Sequence, residues 1–84
     1  MELRQRFESA AERLHSLTQR PPNDILLRLY GLYKQATEGD VQGQRPGGFD
    51  LKGAAKYDAW ASQQGKTPDI AMQEYLKLAE ELLG

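Results

Sequence analysis

Three breaks rich in proline and glycine divide this chain into four stretches, and they constrain its fold more than any other feature. Pro21-Pro22 form the first break, residues 39–50 the second and residues 65–68 the third. Proline cannot continue a helix, and glycine commonly ends one. The candidate elements are therefore the stretches between the breaks, at residues 3–17, 24–37, 51–64 and 68–83.

Each stretch carries apolar residues at helical spacing, and no run of four or more residues alternates as a strand does. Asn23, Asp50 and Thr67 precede the last three stretches, where a helix cap is expected. A loop as long as residues 39–50 is uncommon in a compact domain and is often functional. The sequence predicts an all-α four-helix bundle, with one long crossover between helices 2 and 3 and a single domain over residues 1–84.

Composition excludes several function classes. The net charge is −1, with 11 basic and 12 acidic side chains, so the basic excess of a nucleic-acid-binding domain is missing. The chain has no cysteine, which excludes disulfides and thiolate metal sites and fits a reducing compartment. The charged start is not followed by an apolar signal segment, and no apolar stretch approaches the roughly 20 residues that cross a bilayer. We therefore expect a cytoplasmic protein.

The second predicted helix has two apolar sectors, of which only one looks functional. One is a plain core stripe, formed by Ile25, Leu29, Leu32 and Ala36. The adjacent sector mixes two leucines, two phenols and one ammonium group: Leu26, Leu27, Tyr30, Tyr33 and Lys34. Rings beside a lysine suit a ligand that is planar at one place and anionic at another, such as a nucleotide. The alternative is that both tyrosines are half-buried packing residues.

Further candidates lie on the third helix. Lys52 and Lys56 are four residues apart and share a face, where they could contact phosphate or simply remain solvated. The sole tryptophan, Trp60, is expected in the core. His15 is the only histidine and has neither a second metal ligand nor a catalytic triad around it. These residues alone indicate a helical binding module without catalytic equipment or a metal site.

Two motif blocks give a more specific prediction. Residues 30–37, Tyr-Gly-Leu-Tyr-Lys-Gln-Ala-Thr, precede Gly39-Asp40, and residues 45–60 carry Arg-Pro-Gly, an Asp, a Gly, Ala-Lys and Asp-Ala-Trp in order. This pattern resembles the signature of the acyl-CoA-binding protein family, also called diazepam-binding inhibitor. The resemblance extends to both ends of the chain, through Phe7 with Ala10-Ala11 and Ala71-Met72 with Tyr75.

The resemblance implies a four-helix bundle with an overhand connection between helices 2 and 3. It also implies non-catalytic binding and intracellular carriage or buffering of medium- to long-chain fatty acyl-CoA esters. The protein would need no cofactor and would act as a monomer that is not stably inserted in a membrane. The alternatives are a helical protein-interaction or regulatory module without an acyl-CoA ligand and, less in keeping with the residues, an enzyme domain.

The resemblance also assigns residues to parts of the ligand. Tyr30, Lys34 and Lys56 match the family positions that hold the 3′-phosphate. Tyr33 matches the position that packs against the adenine, and Lys52 one near the phosphates. The positions in the adenine neighbourhood are Ala11 and His15.

The rest of the ligand would lie along other helices. Tyr75 matches a position beside the pantetheine and thioester. The positions at or near the acyl groove are Leu26, Leu27 and Phe7. The chain departs from the common pattern at His15, Ala54 and Tyr57, where the family often has lysine, lysine and tryptophan. Fewer positive charges should weaken the less direct phosphate contacts.

Overall fold

The fold is all-α. A computed structural model describes residues 2–84, so residue 1 of the predicted domain lies outside the described part. Within that part there are four α-helices and no strand: α1 (Leu3–Leu14), α2 (Asn23–Glu38), α3 (Leu51–Ala61) and α4 (Pro68–Leu83). The predicted number and order of helices are confirmed. In residues 2–84, none of the helices is both long enough and apolar enough to span a bilayer.

Two helices end earlier than their apolar periodicity predicts. After Leu14, the backbone N–H groups of residues 15–17 each bond to the carbonyl three residues earlier, at 3.1–3.2 Å. The N–H groups of Gln63 and Gln64, beyond α3, form the same pattern. Such bonds tighten a last turn beyond the α-helix and satisfy its final carbonyl groups. The predicted ends at residues 17 and 64 are therefore wrong, each by three residues too many.

Two of the three predicted caps are present. Asp50 Oδ1 accepts from the Gly53 N–H at 2.9 Å, and Thr67 Oγ1 accepts from the Ile70 N–H at 3.2 Å. The predicted Asn23 cap is wrong, because Asn23 is already helical and its side-chain oxygen accepts from Arg20 Nη1 at 2.8 Å. Pro22 takes the position before the helix, where its ring fixes φ.

The core lies where α4 packs against both α1 and α2. Phe7, Leu32, Ala71 and Ala79 are completely shielded from solvent there. Close backbone contacts join α1 with α4, α4 with α2 and α2 with α3. Because α1 and α2 meet only through side chains, a gap remains between them on the surface. The helix arrangement thus creates a groove between two helices that share a common neighbour.

The crossover at residues 39–50 is fastened to α3. The Trp60 indole N–H donates to the Gly39 carbonyl at 2.7 Å, and the Tyr57 hydroxyl donates to that of Gly43 at 3.1 Å. Arg45 forms a two-pronged ion pair with Asp58, with N–O distances of 2.8 and 2.9 Å. The predicted long connection is confirmed, and these bonds hold it in place. Trp60 is buried, as predicted.

A buried glutamine ties the end of α2 to the turn before α4. Gln35 Nε2 donates to Asp40 Oδ1 and to the Lys66 carbonyl, both at 2.9 Å. The Gly65 N–H donates to the same Asp40 oxygen at 2.8 Å. These hydrogen bonds, first the one from Gly65 and then the one from Gln35, lower the pKa of Asp40. The carboxylate is thereby held in its charged form.

Gly31 brings the backbones of α2 and α3 into direct contact. A Cβ atom at this position would lie 2.7 Å from the carbonyl carbon of Ala59 and 3.2 Å from the Trp60 nitrogen. Those atoms are main-chain atoms, which cannot move aside as a flexible side chain could. The residue must therefore be glycine for the two helices to approach this closely.

Candidate functional site

The interface between α2 and α3 presents cations beside aromatic rings. Lys56 Nζ of α3 lies 5.4 Å from the centre of the Tyr30 ring on α2. One turn further along both helices, Lys34 Nζ of α2 lies 4.8 Å from the centre of a Trp60 ring. Lys34 follows Tyr30 by four residues on α2, and Trp60 follows Lys56 by four residues on α3. Contacts therefore advance in the same direction along both helices, so α2 and α3 run parallel here. A parallel pair needs a long connection, and the crossover at residues 39–50 supplies it.

The three predicted phosphate-binding residues therefore share one helix interface, but they are not equivalent. Tyr30 and Lys56 are in contact across it. The Lys34 ammonium also forms an ion pair with Glu38, four residues later on α2. An exposed i,i+4 pair of this kind is weak, so an anionic ligand could compete for the ammonium.

A second feature is a cluster of three aromatic rings from three helices. Phe7 of α1 stacks on Tyr33 of α2, with ring centres 5.3 Å apart, and meets the edge of Tyr75 of α4 at 4.9 Å. Phe7 is completely buried and Tyr75 nearly so, whereas Tyr33 is 41% exposed. The cluster therefore presents one ring to solvent and supports it from beneath. Phe7 lies under this surface and lines neither of the two grooves described below.

Burial has an electrostatic consequence for this cluster. Desolvation, with a smaller effect of nearby Tyr33, raises the pKa of Tyr75 to about 12. The Tyr75 phenol, which is neutral at physiological pH even at its ordinary pKa of 10.0, is thus kept further from ionisation and can donate a hydrogen bond. A neutral phenol next to a ligand does not repel the ligand's anionic groups.

The first groove occupies the gap between α1 and α2, with a volume of about 490 Å³. Six of the predicted site residues line it: Ala11, His15, Leu26, Tyr30, Tyr33 and Tyr75. Glu8, Glu12 and Leu29 complete its lining. It is a groove with rings on one wall and small or polar side chains on the other, which suits a flat, polar ligand group.

The second groove lies between α2 and the start of α3, with a volume of about 650 Å³. Five of the predicted residues line it: Leu26, Leu27, Tyr30, Lys52 and Lys56. The remaining lining residues are Arg20, Asn23, Leu51 and Ala55. The groove has an apolar floor with three cationic side chains, and none of these described residues is acidic.

The two grooves meet at Leu26 and Tyr30, which are one turn apart on α2 and line both of them. Together they form one concave surface with an aromatic part and a cationic, apolar part. Such a surface suits a long ligand with a planar end, an anionic centre and an apolar end. No group of three or more side chains suited to metal binding is found in residues 2–84.

The sequence analysis missed two residues that line the second groove, Arg20 and Leu51. Arg20 lies in the connection between α1 and α2, and its position beside α3 depends on tertiary packing. Leu51 shares a helix face with Ala55, four residues later, but not with Lys52 or Lys56, so the two lysines did not point to it. Lys34 was predicted in the site but lines neither groove; its ammonium lies beside Trp60.

Comparison with known proteins identifies relatives of this chain. The family model for acyl CoA binding protein matches residues 4–79. An acyl-CoA-binding protein homolog of Drosophila melanogaster is 48% identical over 79 residues, which cover 94% of this chain and 92% of the relative. An acyl-CoA-binding protein of Brassica napus is 49% identical over 83 residues, covering 99% and 90%.

Solved structures agree with these relatives. The crystal structure of Oryza sativa acyl-CoA-binding protein 2 superposes with a TM-score of 0.92 at 44% identity, covering 98% of this chain and 91% of that one. The crystal structure of ACBP from Moniliophthora perniciosa superposes with a TM-score of 0.89 at 39% identity, covering 99% and 81%. The helix arrangement is therefore shared with proteins of related sequence.

Proposed function

This chain belongs to the acyl-CoA-binding protein family, and we propose that it binds medium- to long-chain fatty acyl-CoA esters and carries or buffers them without chemical change. The observation that supports this most directly is the meeting of an aromatic groove and a cationic, apolar groove at Tyr30. An acyl-CoA has the same sequence of properties: a planar base, phosphates and an apolar chain. The protein is not an enzyme.

The 3′-phosphate would be held at the α2–α3 interface. Tyr30 offers a hydroxyl donor, and Lys56, whose ammonium lies over the Tyr30 ring, offers a positive charge beside it. Lys34 is one turn away and would exchange its contact with Glu38 for the phosphate. A hydrogen bond to a charged group is worth about 1.5–3 kcal/mol, so each of the three contacts matters to affinity.

The adenine would pack on Tyr33, in the first groove. The exposed part of this ring is supported by buried Phe7, so it is a rigid surface for stacking. Ala11 and His15 line the opposite wall of the same groove. Phe7 would act as a positioning residue, because it contacts the tyrosine but not the ligand.

The acyl chain would lie along the apolar floor of the second groove, on Leu26 and Leu27. Lys52 at the rim would contact phosphate oxygens of the head group, and Tyr75 would border the pantetheine and thioester from the first groove. Burying one methylene is worth about 0.8 kcal/mol, so a long chain could supply on the order of 10 kcal/mol before ordering costs. The tail would provide much of the affinity and the head group the specificity.

The cellular setting is part of the same proposal. We place the protein in the cytoplasm, because a chain without cysteine is suited to a reducing compartment. It would act as a monomer, since a single chain supplies the whole of the proposed binding surface.

Titration calorimetry with palmitoyl-CoA tests the proposal. We expect tight binding by the wild type, and Tyr30→Phe, Lys34→Ala and Lys56→Ala should each weaken it by about tenfold or more, as loss of one such hydrogen bond predicts. Lys77→Ala is the matched control, because this exposed lysine of α4 lies away from both grooves. Absence of binding by the wild type would refute the function, and unchanged affinity in the three variants would refute the site.

A further inference from the structure

Two large apolar side chains project from the junction of the crossover and α3. Phe49 is fully exposed, and Leu51 is 79% exposed. The only other large apolar residues in the described chain that are exposed, Tyr33 and Ile70, reach 41% and 44%. Phe49 lies in a turn in which the Asp50 N–H donates to the Gly47 carbonyl at 3.3 Å. We refer to Phe49 and Leu51 as the apolar tip.

The apolar tip is continuous with the second groove. Leu51 lines that groove, together with Leu26 and Leu27 on its floor. Phe49 lies two residues before Leu51 and lines neither groove. Both side chains therefore expose apolar surface at the end of α3 where Leu51 lines the groove.

The surroundings of the tip are positively charged, although the whole chain has a net charge of −1. Arg20, Lys52 and Lys56 line the adjoining groove, and none of its described lining residues is acidic. The Asp50 carboxylate accepts the N–H of Gly53, and the carboxylate of Asp58 is paired with Arg45. Asp58 is therefore neutralised by its ion pair, whereas Asp50 caps α3 and keeps its charge. The three cations of the adjoining groove outnumber that one carboxylate, so the local charge is positive.

This combination points to one kind of partner. Apolar side chains flanked by lysine and arginine are typical of segments that lie in a membrane interface, and anionic lipids attract the basic groups. A protein partner would need about 800 Å² of contact on each side, far more than a turn with two projecting side chains offers.

We propose that the apolar tip docks reversibly on an anionic membrane surface, with Phe49 and Leu51 in the interface and the three cations at the lipid head groups. This deepens the proposed function and rests on it: an acyl chain would pass from the bilayer into the second groove without crossing water. The tip touches the surface and does not span it.

Vesicle flotation with the ligand-free, full-length chain tests the docking. The vesicles are phosphatidylcholine with about one-third phosphatidylglycerol, at low salt. We expect wild-type protein to float with them, and Phe49→Gln and Leu51→Gln each to lower the bound fraction at least about fivefold, since each removes a large apolar side chain from the interface. Ile70→Gln, which removes an exposed apolar residue elsewhere, should have no effect.

Charge provides a second criterion. Vesicles of phosphatidylcholine alone, or added salt that screens the cations, should reduce the bound fraction of wild type strongly. No flotation, equal flotation on neutral vesicles, or an equal loss in Ile70→Gln would overturn the proposal. So would a concentration-dependent dimer that Phe49→Gln abolishes in sedimentation, because a second copy would then be the occupant of the tip.

The docking and the binding function can fail separately. Phe49→Gln should keep wild-type affinity for palmitoyl-CoA in calorimetry, yet load more slowly from vesicles that contain the ligand. A variant that loads as fast as wild type from vesicles would overturn the docking role. A wild type that floats but binds no acyl-CoA would refute the function and leave the membrane contact standing.

Discussion

Replacing Gly31 by alanine tests the contact on which the α2–α3 interface depends. The added methyl group would lie 2.7 Å from the Ala59 carbonyl carbon and 3.2 Å from the Trp60 nitrogen, well inside van der Waals contact. Both atoms are main chain, so the strain can be relieved only if the helices separate. Overpacking of this kind costs about 1–3 kcal/mol or more.

Helix propensity acts in the opposite direction and reduces this cost. Inside a helix, alanine stabilises the folded state by about 1 kcal/mol relative to glycine. Because the clash involves backbone and not a flexible side chain, we take the upper end of the overpacking cost, and the net loss of stability is about 2 kcal/mol. For a chain of this size, 1 kcal/mol corresponds to roughly 4–8 °C, so the melting temperature should fall by roughly 8–16 °C.

The measurement is thermal and urea unfolding followed by circular dichroism, with calorimetry on the folded variant. We also expect weaker palmitoyl-CoA binding, because separation of the helices would move Lys56 away from Tyr30. Gly47→Ala is the control: a Cβ there meets nothing within 4 Å, and its stability should match wild type or slightly exceed it. A Gly31→Ala protein as stable as wild type, with unchanged affinity, would refute the reasoning.

Two further predictions concern charged groups. Glu38→Gln removes the partner of Lys34, so palmitoyl-CoA affinity should rise about two- to fivefold in calorimetry, the range expected for an exposed ion pair; equal or lower affinity would mean that Glu38 positions the lysine. The pKa of Asp40 is lowered from its usual 3.8 by its hydrogen bonds. Its contribution to stability is therefore complete above pH 3.8 and is lost as the pH falls through the lowered pKa. Asp40→Asn should flatten the acid side of a plot of melting temperature against pH, and an unchanged slope would contradict this.

Local signals predicted the helices well but their ends less well. Asp50 and Thr67 cap helices as expected, because a cap is a contact between residues three apart in sequence. Asn23 has the same chemistry and was wrongly predicted to cap α2, because Pro22 takes the position before the helix and Arg20 binds the asparagine oxygen. Which of several adjacent residues begins a helix depends on such competition.

The candidate site was only partly accessible from the sequence. Tyr30 and Lys34 share a face because they are four residues apart, and Lys52 and Lys56 do so for the same reason. Nothing local places one pair against the other, and only the resemblance to a family suggested it. Arg20 was missed for this reason, since its place in the second groove depends on the packing of α2 against α3.

The sequence by itself determined that this chain forms four helices with a long crossover between the second and third, because helical periodicity, caps and breakers act over a few neighbouring residues. Only the tertiary structure decided that α2 and α3 run parallel with their backbones in contact at Gly31. That contact sets Lys56 over the Tyr30 ring and forms the second groove, while the packing of α4 against both α1 and α2 leaves the first groove between them. The physical reason is that residues far apart in the sequence line each groove, and their relative positions depend on how whole helices pack.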